Sequence, residues 1–164
     1  MSNTPTTVSN FYLSVGDFVT VSKTISETDV YLFAGVTGDF SPNHVNAEFM
    51  ADSAFKQRVA HGALLVGLMS TASTKMVEGG SRPVDGPPEK SVALGYDRIR
   101  FLGPVFFGDT VTVTYTIKEV DTERRRTSAE INVTNQRKEL ICVATGLLKW
   151  VPVESPSAST AGTK

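Results

Sequence analysis

The sequence predicts an α+β fold in which an antiparallel β-sheet wraps around one long central helix. Three observations carry that expectation. The first is element order: one strand-like segment, then helical segments, then at least four strand-like segments in the second half of the chain. The second is the run ALLVGLM, Ala63 to Met69, which opens the longest helical segment. It is apolar nearly all round, as in a helix taken into the fold rather than laid on its surface. The third is the short linkers, 121–126 and 136–139, between alternating segments. Linkers of that length make antiparallel hairpins.

Each element has a local cause. Asp17 to Ile25 reads as the first strand, with Phe18, Val19 and Val21 supplying β-propensity. Ser26 then caps a helix, since Ser-Glu-Thr-Asp sets an acid at the third helical position, a weaker form of the capping box. Val30, Phe33 and Ala34 share one face of it, and Gly38 ends it. Asn46 can cap a second short helix, Ala47 to Ala54. The long helix is predicted from Gly62 to about Val77, stopped by Gly79 and Gly80, with a Gly/Pro-rich loop from Gly79 to Lys90. Strands follow at Val92 to Phe101, Thr110 to Val120, Thr127 to Asn135 and Leu140 to Trp150. In the third strand Val111, Val113, Tyr115 and Ile117 alternate with threonines, and in the fourth Ala129, Ile131 and Val133 line one side. The last strand is apolar on both faces and is expected to be covered on both.

Composition bounds the function. At 164 residues the chain makes one core and no second domain. Residues 1–9 and 154–164 are small and polar and are expected to be loose ends around a domain at 10–153. With a net charge of −1 nothing points to a nucleic-acid surface, and Arg124 to Arg126, preceded by acids, reads as a solvated hairpin turn rather than a binding patch. The single cysteine, Cys142, allows no internal disulfide and reads as a buried, inert thiol. With no signal-like N-terminus and no membrane-length apolar run, a cytoplasmic protein without membrane partners is the expectation.

The chemistry-bearing stretch is GDFSPNHVN, Gly38 to Asn46, with Ala60-His61-Gly62 downstream. It holds both histidines of the chain and sets Asp39 five positions before His44, on a loop stiffened by Pro42. Histidine is the side chain that exchanges protons near neutral pH. Two readings of the pair stand: a proton-transfer dyad, or a helix-ending Gly-Asp followed by a surface histidine. The helix start near Gly62 adds unpaired N–H groups and partial positive charge, suited to a carbonyl oxygen that becomes anionic. An imidazolium at His61 would sit against that positive end, so His61 reads as a neutral histidine hydrogen-bonded across the loop rather than a second base.

GDFSPNHVN, with FAGVTGD before it and RVAHGALLVGLMS after it, resembles the motif of the MaoC-like hydratases, the (R)-specific enoyl-CoA hydratase family. RFLGPVFFGDTV, Arg100 to Val111, is similar to that family's second recurring stretch. The resemblance covers most of Val15 to Trp150. It implies the hot-dog fold, a homodimer or dimer-based higher oligomer, substrate at the subunit interface, and no cofactor beyond the coenzyme A of an acyl-CoA substrate. The implied reaction adds water across a trans-2-enoyl-CoA to give a (R)-3-hydroxyacyl-CoA, or reverses it. By the same resemblance Asp39 and His44 match the catalytic dyad, Gly62 the glycine whose N–H faces the thioester oxygen, and Ser70 a serine of the site; no metal is implied.

Three positions depart from the family pattern: Ser41 and Asn43 stand where Asn and an aliphatic residue are usual, and Asn46 where Asp is. The dyad is intact, so these departures bear on substrate identity. Asn43 either faces the pocket, which favours a short or polar acyl group, or faces solvent and shapes the turn. Ser70 is either a site residue or a satisfied core hydroxyl, and Arg58, Lys75 and Arg98 are unranked candidates for the coenzyme A phosphates. The competing functions are a hot-dog acyl-CoA thioesterase, which needs no histidine beside the acid, and a non-catalytic acyl-CoA-binding module, which has no use for either.

Overall fold

In the computed structural model, residues 11–79 and 88–153 are described. The expected loose ends, and residues 80–87 of the expected Gly/Pro loop, lie outside them. The elements run β1 (Phe18–Thr24), α1 (Glu27–Thr37), α2 (Pro42–Val45), α3 (Ala47–Ala51), α4 (Leu64–Gly79), β2 (Glu89–Phe101), β3 (Thr110–Asp121), β4 (Arg126–Thr134) and β5 (Leu140–Pro152). The five strands form one antiparallel sheet in the order β1-β3-β4-β5-β2.

Period-two patterning fixes the register. Val111, Val113, Tyr115 and Ile117 of β3 are fully buried, as are Ala129, Ile131 and Val133 of β4. The intervening threonines lie on the other face, where Thr112 and Thr110 exchange hydroxyl hydrogen bonds with Ser22 and Thr24 of β1 at 2.8 and 2.7 Å. A one-residue slip would turn this whole apolar set outward. Gly146 of β5 is where the core is tightest: a Cβ there would stand 2.8 Å from the Tyr115 ring and 3.0 Å from Ile131 Cδ1.

Helix α4 packs against β1, β3 and β5 through Leu65, Met69, Ala72, Ser73 and Met76. Burying each large apolar side chain stabilises by roughly 1.5–3 kcal/mol. The expectation that its first half is swallowed on all sides is corrected: Ala63, Gly67, Ser70 and Thr71 are exposed, and Leu64, Val66 and Leu68 only half-buried. Within this chain only one face of α4 meets the sheet, at β1, β3 and β5, and the other is left open. Likewise, β5 is buried on one face and half-buried on the other, not covered on both.

Boundaries moved by a few residues. Helix α4 begins at Leu64 and includes Gly79, and β2 starts at Glu89, three residues earlier than its apolar pattern. Pairing to Pro152, Val151 and Trp150 extends β2 backwards through residues that carry no strand signal. Arg125 is not simply solvated: its guanidinium pairs with Glu89 and lies 4.7 Å over the Phe11 ring, while Arg124 and Arg126 are exposed. Cys142 is fully buried, and desolvation pushes its thiol pKa up. Among the described residues, no helix is long and apolar enough to cross a membrane.

Candidate active site

Asp39 is delivered by the end of α1. The capping box at Ser26 is complete: the Ser26 hydroxyl accepts from Asp29 N–H at 3.2 Å, and the Asp29 carboxylate accepts from Ser26 N–H at 2.9 Å. At the other end Gly38 takes φ 79° and donates its N–H to Ala34 O at 2.7 Å. That left-handed conformation is open to glycine without strain, and it turns the chain sharply off the helix axis. Asp39 then accepts from Ser41 N–H at 3.3 Å, with about half of its side chain exposed.

The single-turn helix α2 carries His44. Its N1 residue is Pro42, where the missing N–H costs no helical bond. The sequence pattern was too short to show it: four residues give no periodicity. Val59 ties this turn down from both sides, donating its N–H to Asn43 O at 3.1 Å and accepting from His44 Nδ1 at 2.7 Å. A carbonyl cannot donate, so Nδ1 carries the ring proton and Nε2 is the lone pair. Asn43 Nδ2 donates to that lone pair at 3.3 Å.

His61 is buried beside His44. The two rings stack with centroids 3.7 Å apart and 30° between planes, and Phe33 lies 4.9 Å from His61. His61 Nε2 donates to Asp39 O at 2.9 Å, the hydrogen bond across the loop that the sequence predicts, and stands 3.9 Å from Asp39 Oδ2. One carboxylate oxygen of Asp39 and one ring nitrogen from each histidine lie within 4.8 Å of one another. The ring nitrogens that face the Val59 and Asp39 carbonyls carry protons and offer no lone pair to a metal. The cluster suits a shared water better than an ion, because one water spans two groups by two hydrogen bonds of about 2.8 Å.

Beside it lies a pocket of about 470 Å³, lined by Asn43, His44, Phe55, Val59, Ala60 and Gly62 on one side of the sequence and by Leu65 and residues 101–105 on the other. Asn43 and His44 are its polar side chains; the rest of the lining is apolar or glycine. Gly62 stands just before α4, and its N–H donates to no group among the described residues. A Cβ at Gly62 would stand 3.0 Å from the Phe101 ring.

Of the residues singled out from the sequence, Asn43, His44 and Gly62 thus meet at the pocket, with Asp39 close to His44 but outside the lining. Ser70 is exposed on α4 and also outside it. Arg58 is held by Glu27 at 2.7 Å and by the Phe107 ring at 4.6 Å, so it staples its loop to α1. Arg98 sits with φ 55° in a β2 bulge between Asp97 and Arg100, and Lys75 is exposed. Phe55 is the pocket residue that no sequence motif marks; Val59 and residues 101–105 lie in the stretches RVAHGALLVGLMS and RFLGPVFFGDTV, which carry the resemblance but assign these residues no role. The 102–109 loop reaches the site because Ala60 N–H donates to Val105 O at 2.8 Å. Its signal in the sequence is the apolar run FLGPVFF within that second stretch.

One antiparallel sheet against one long helix, with polar groups gathered at the loops before that helix, defines the hot-dog class of fold. The chain belongs to the family described as MaoC like domain, whose model matches residues 16–139. Over 110 residues it is 38% identical to the (R)-specific enoyl-CoA hydratase of Rhodospirillum rubrum, covering 67% of this chain and 69% of that protein. It is 36% identical over 114 residues to the 3-hydroxybutyryl-CoA dehydratase of Methylorubrum extorquens, covering 70% and 66%. Among solved structures, the (R)-hydratase from A. caviae involved in PHA biosynthesis superposes with a TM-score of 0.72 at 28% identity, covering 84% of this chain and 96% of that one. R-Hydratase PhaJ1 from Pseudomonas aeruginosa, unliganded, gives 0.70 at 28% identity, covering 93% and 94%.

Proposed function

We propose that the protein is a hydro-lyase that adds water across the double bond of a trans-2-enoyl-CoA to give a (R)-3-hydroxyacyl-CoA, or removes it in the reverse direction. The observation that carries this reading is His44: its Nδ1–H is held by Val59 O at 2.7 Å, which leaves Nε2 as the lone pair, and the residue lines an apolar pocket with one of its ring nitrogens within 4.8 Å of an Asp39 carboxylate oxygen. The similarity to the R. rubrum hydratase and the M. extorquens dehydratase supports the same reaction.

In this mechanism one water is gripped by His44 and Asp39. His44 Nε2 takes a proton from it as the water oxygen bonds to the β-carbon. Negative charge gathers on the thioester oxygen, where the unpaired Gly62 N–H at the start of α4 stabilises it. The α-carbon then takes up a proton from the Asp39–His44 pair, and the site ends with the protons it began with. Coenzyme A enters as part of the substrate, and the reading calls for no further cofactor. Ser70 has no role in it within a single chain.

The active form is a homodimer or a higher oligomer built on one. This is supported by the uncovered face of α4 and by the exposed Leu32, Val36 and Phe40 on one side, and Phe101 and Leu102 at the pocket.

Mixing the protein with crotonyl-CoA tests the reaction. Loss of the enoyl absorbance without free thiol is the expected result; release of free thiol means a thioesterase, and no change in either means a binding module.

A further inference from the structure

The hydratase reading uses one of two stacked imidazoles and leaves the other without a task. His61 is 2% exposed, deeper than His44 at 8%, and it touches both members of the dyad by different means. Its Nε2–H holds the main chain of Asp39 at 2.9 Å, and its ring face lies on the His44 ring at 3.7 Å. Its other nitrogen, Nδ1, is buried with no hydrogen-bond partner among the described residues. A merely structural histidine would be expected to satisfy both nitrogens, because an orphaned buried polar atom is costly. The orphan fixes the tautomer: the proton resides on Nε2, where an acceptor stands, and the lone pair on Nδ1, where none is needed to receive a proton.

Resting on the hydratase reading, we propose that His61 is a positioning residue for the reaction, which sets the Asp39 carboxylate and the His44 ring in register. The two catalytic groups come from different elements, the end of α1 and the turn α2, and no hydrogen bond joins them directly. His61 is the part they share. Phe33 of α1 also meets the His61 ring, tilted at 47° with centroids 4.9 Å apart, so His61 is in contact with α1 as well as with His44. A ring of this kind also offers its face to His44 while His44 carries the transferred proton, which an aliphatic or amide side chain does not.

The chain has two histidines, so histidine-selective ¹⁵N labelling gives two pairs of ring-nitrogen signals, and His44→Ala assigns each pair to its ring. The expected result is the Nε2–H tautomer for His61 and the Nδ1–H tautomer for His44; an Nδ1–H tautomer at His61 overturns the proposal. Kinetics with crotonyl-CoA supply the second arm. His61→Gln keeps a donor without the ring, and His61→Phe keeps a ring without the donor. Both are expected to lower kcat by on the order of ten- to a hundredfold with KM within about threefold of wild type, as for a displaced rather than deleted dyad. A kcat within about twofold of wild type in either variant overturns the assignment. Should both variants fail to fold, the tautomers of the wild type decide alone. Loss of activity in His44→Ala with full activity in the His61 variants sinks this inference only. A wild type inert towards enoyl thioesters removes the hydratase reading, and this one with it, whatever the tautomers.

Discussion

The side-chain amide of Asn43 donates to Nε2 of His44 at 3.3 Å, and both residues line the pocket. The nitrogen proposed as the base is therefore already held by its sequence neighbour. A substrate that displaces this contact must satisfy the amide in another way, or leave it unpaired at roughly 1–3 kcal/mol. A long hydrocarbon tail has nothing to offer it, while water behind a short acyl group, or a hydroxyl or carboxylate on the chain, does. Wild-type kcat/KM is expected to favour crotonyl- or mesaconyl-CoA over octenoyl-CoA. Asn43→Leu is expected to shift that ratio towards the longer chain by about tenfold. If octenoyl-CoA is the best wild-type substrate, or the ranking survives the substitution, Asn43 does not set selectivity.

Asp39→Asn and His44→Ala are each expected to reduce turnover on the order of a hundred- to ten-thousandfold, the usual contribution of a positioned acid–base group. Circular dichroism should show the fold retained. A variant keeping more than about a tenth of the wild-type rate would mean that its residue is not in the dyad.

The sheet and the long helix were legible because each repeats its pattern over three or more turns or strand pairs. Val111 to Ile117 states its period four times, and Ser26 with Asp29 states a helix start in four residues. The site was legible only in part. Asp39, His44 and Gly62 announce themselves by residue type, whereas Val59 acts through its backbone, which no side chain records. Phe101, Leu102 and Val105 reach the pocket through the Ala60–Val105 hydrogen bond, a contact across some forty-five positions that local pattern does not encode. The uncovered face of α4 escaped for a different reason: an all-apolar helix says that it is covered, not by which chain.

Two glycines are expected to fail in opposite ways. Alanine at Gly146 would set its Cβ 2.8 Å from Tyr115 and 3.0 Å from Ile131, both fully buried, so the core must strain. Thermal unfolding should report a loss of about 1–3 kcal/mol. Alanine at Gly62 meets the Phe101 ring at 3.0 Å, but that ring is half exposed and can swing aside. Stability should hold while turnover falls about tenfold or more, because the wall beside the thioester oxygen has moved. Equal effects of the two on stability would contradict this.

Asp109 is expected to contribute to the acid limb of stability. Burial works to raise its pKa, but hydrogen bonds from Gln136 and from Phe106 N–H, and the Arg137 guanidinium at 3.3 Å, outweigh it and hold the carboxyl below the ordinary range. A folded-state pKa below the unfolded one gives stability that is present above the unfolded pKa and lost as pH falls through the folded one. Asp109→Asn is expected to cost about 1–3 kcal/mol near neutrality and to flatten the decline below about pH 4. An unchanged acid limb in urea titrations at stepped pH would assign that decline elsewhere; the carboxyls of Asp29, Glu130 and Glu139 are also held below their ordinary values.

Sedimentation at micromolar concentration is expected to show a dimer or larger species. A lone 17.7 kDa particle would leave the open face of α4 and the exposed Phe101 and Leu102 in water, and would rule out a site shared between chains.

Cys142, sealed under the sheet with its acidity suppressed, has a practical corollary. It is the chain's one sulfhydryl, so the folded protein is blank to thiol-reactive dyes. Any colour that develops in a reaction mixture is then liberated coenzyme, counted one for one against substrate. Water addition and thioester cleavage can be scored in a single cuvette, with no enzyme background to subtract.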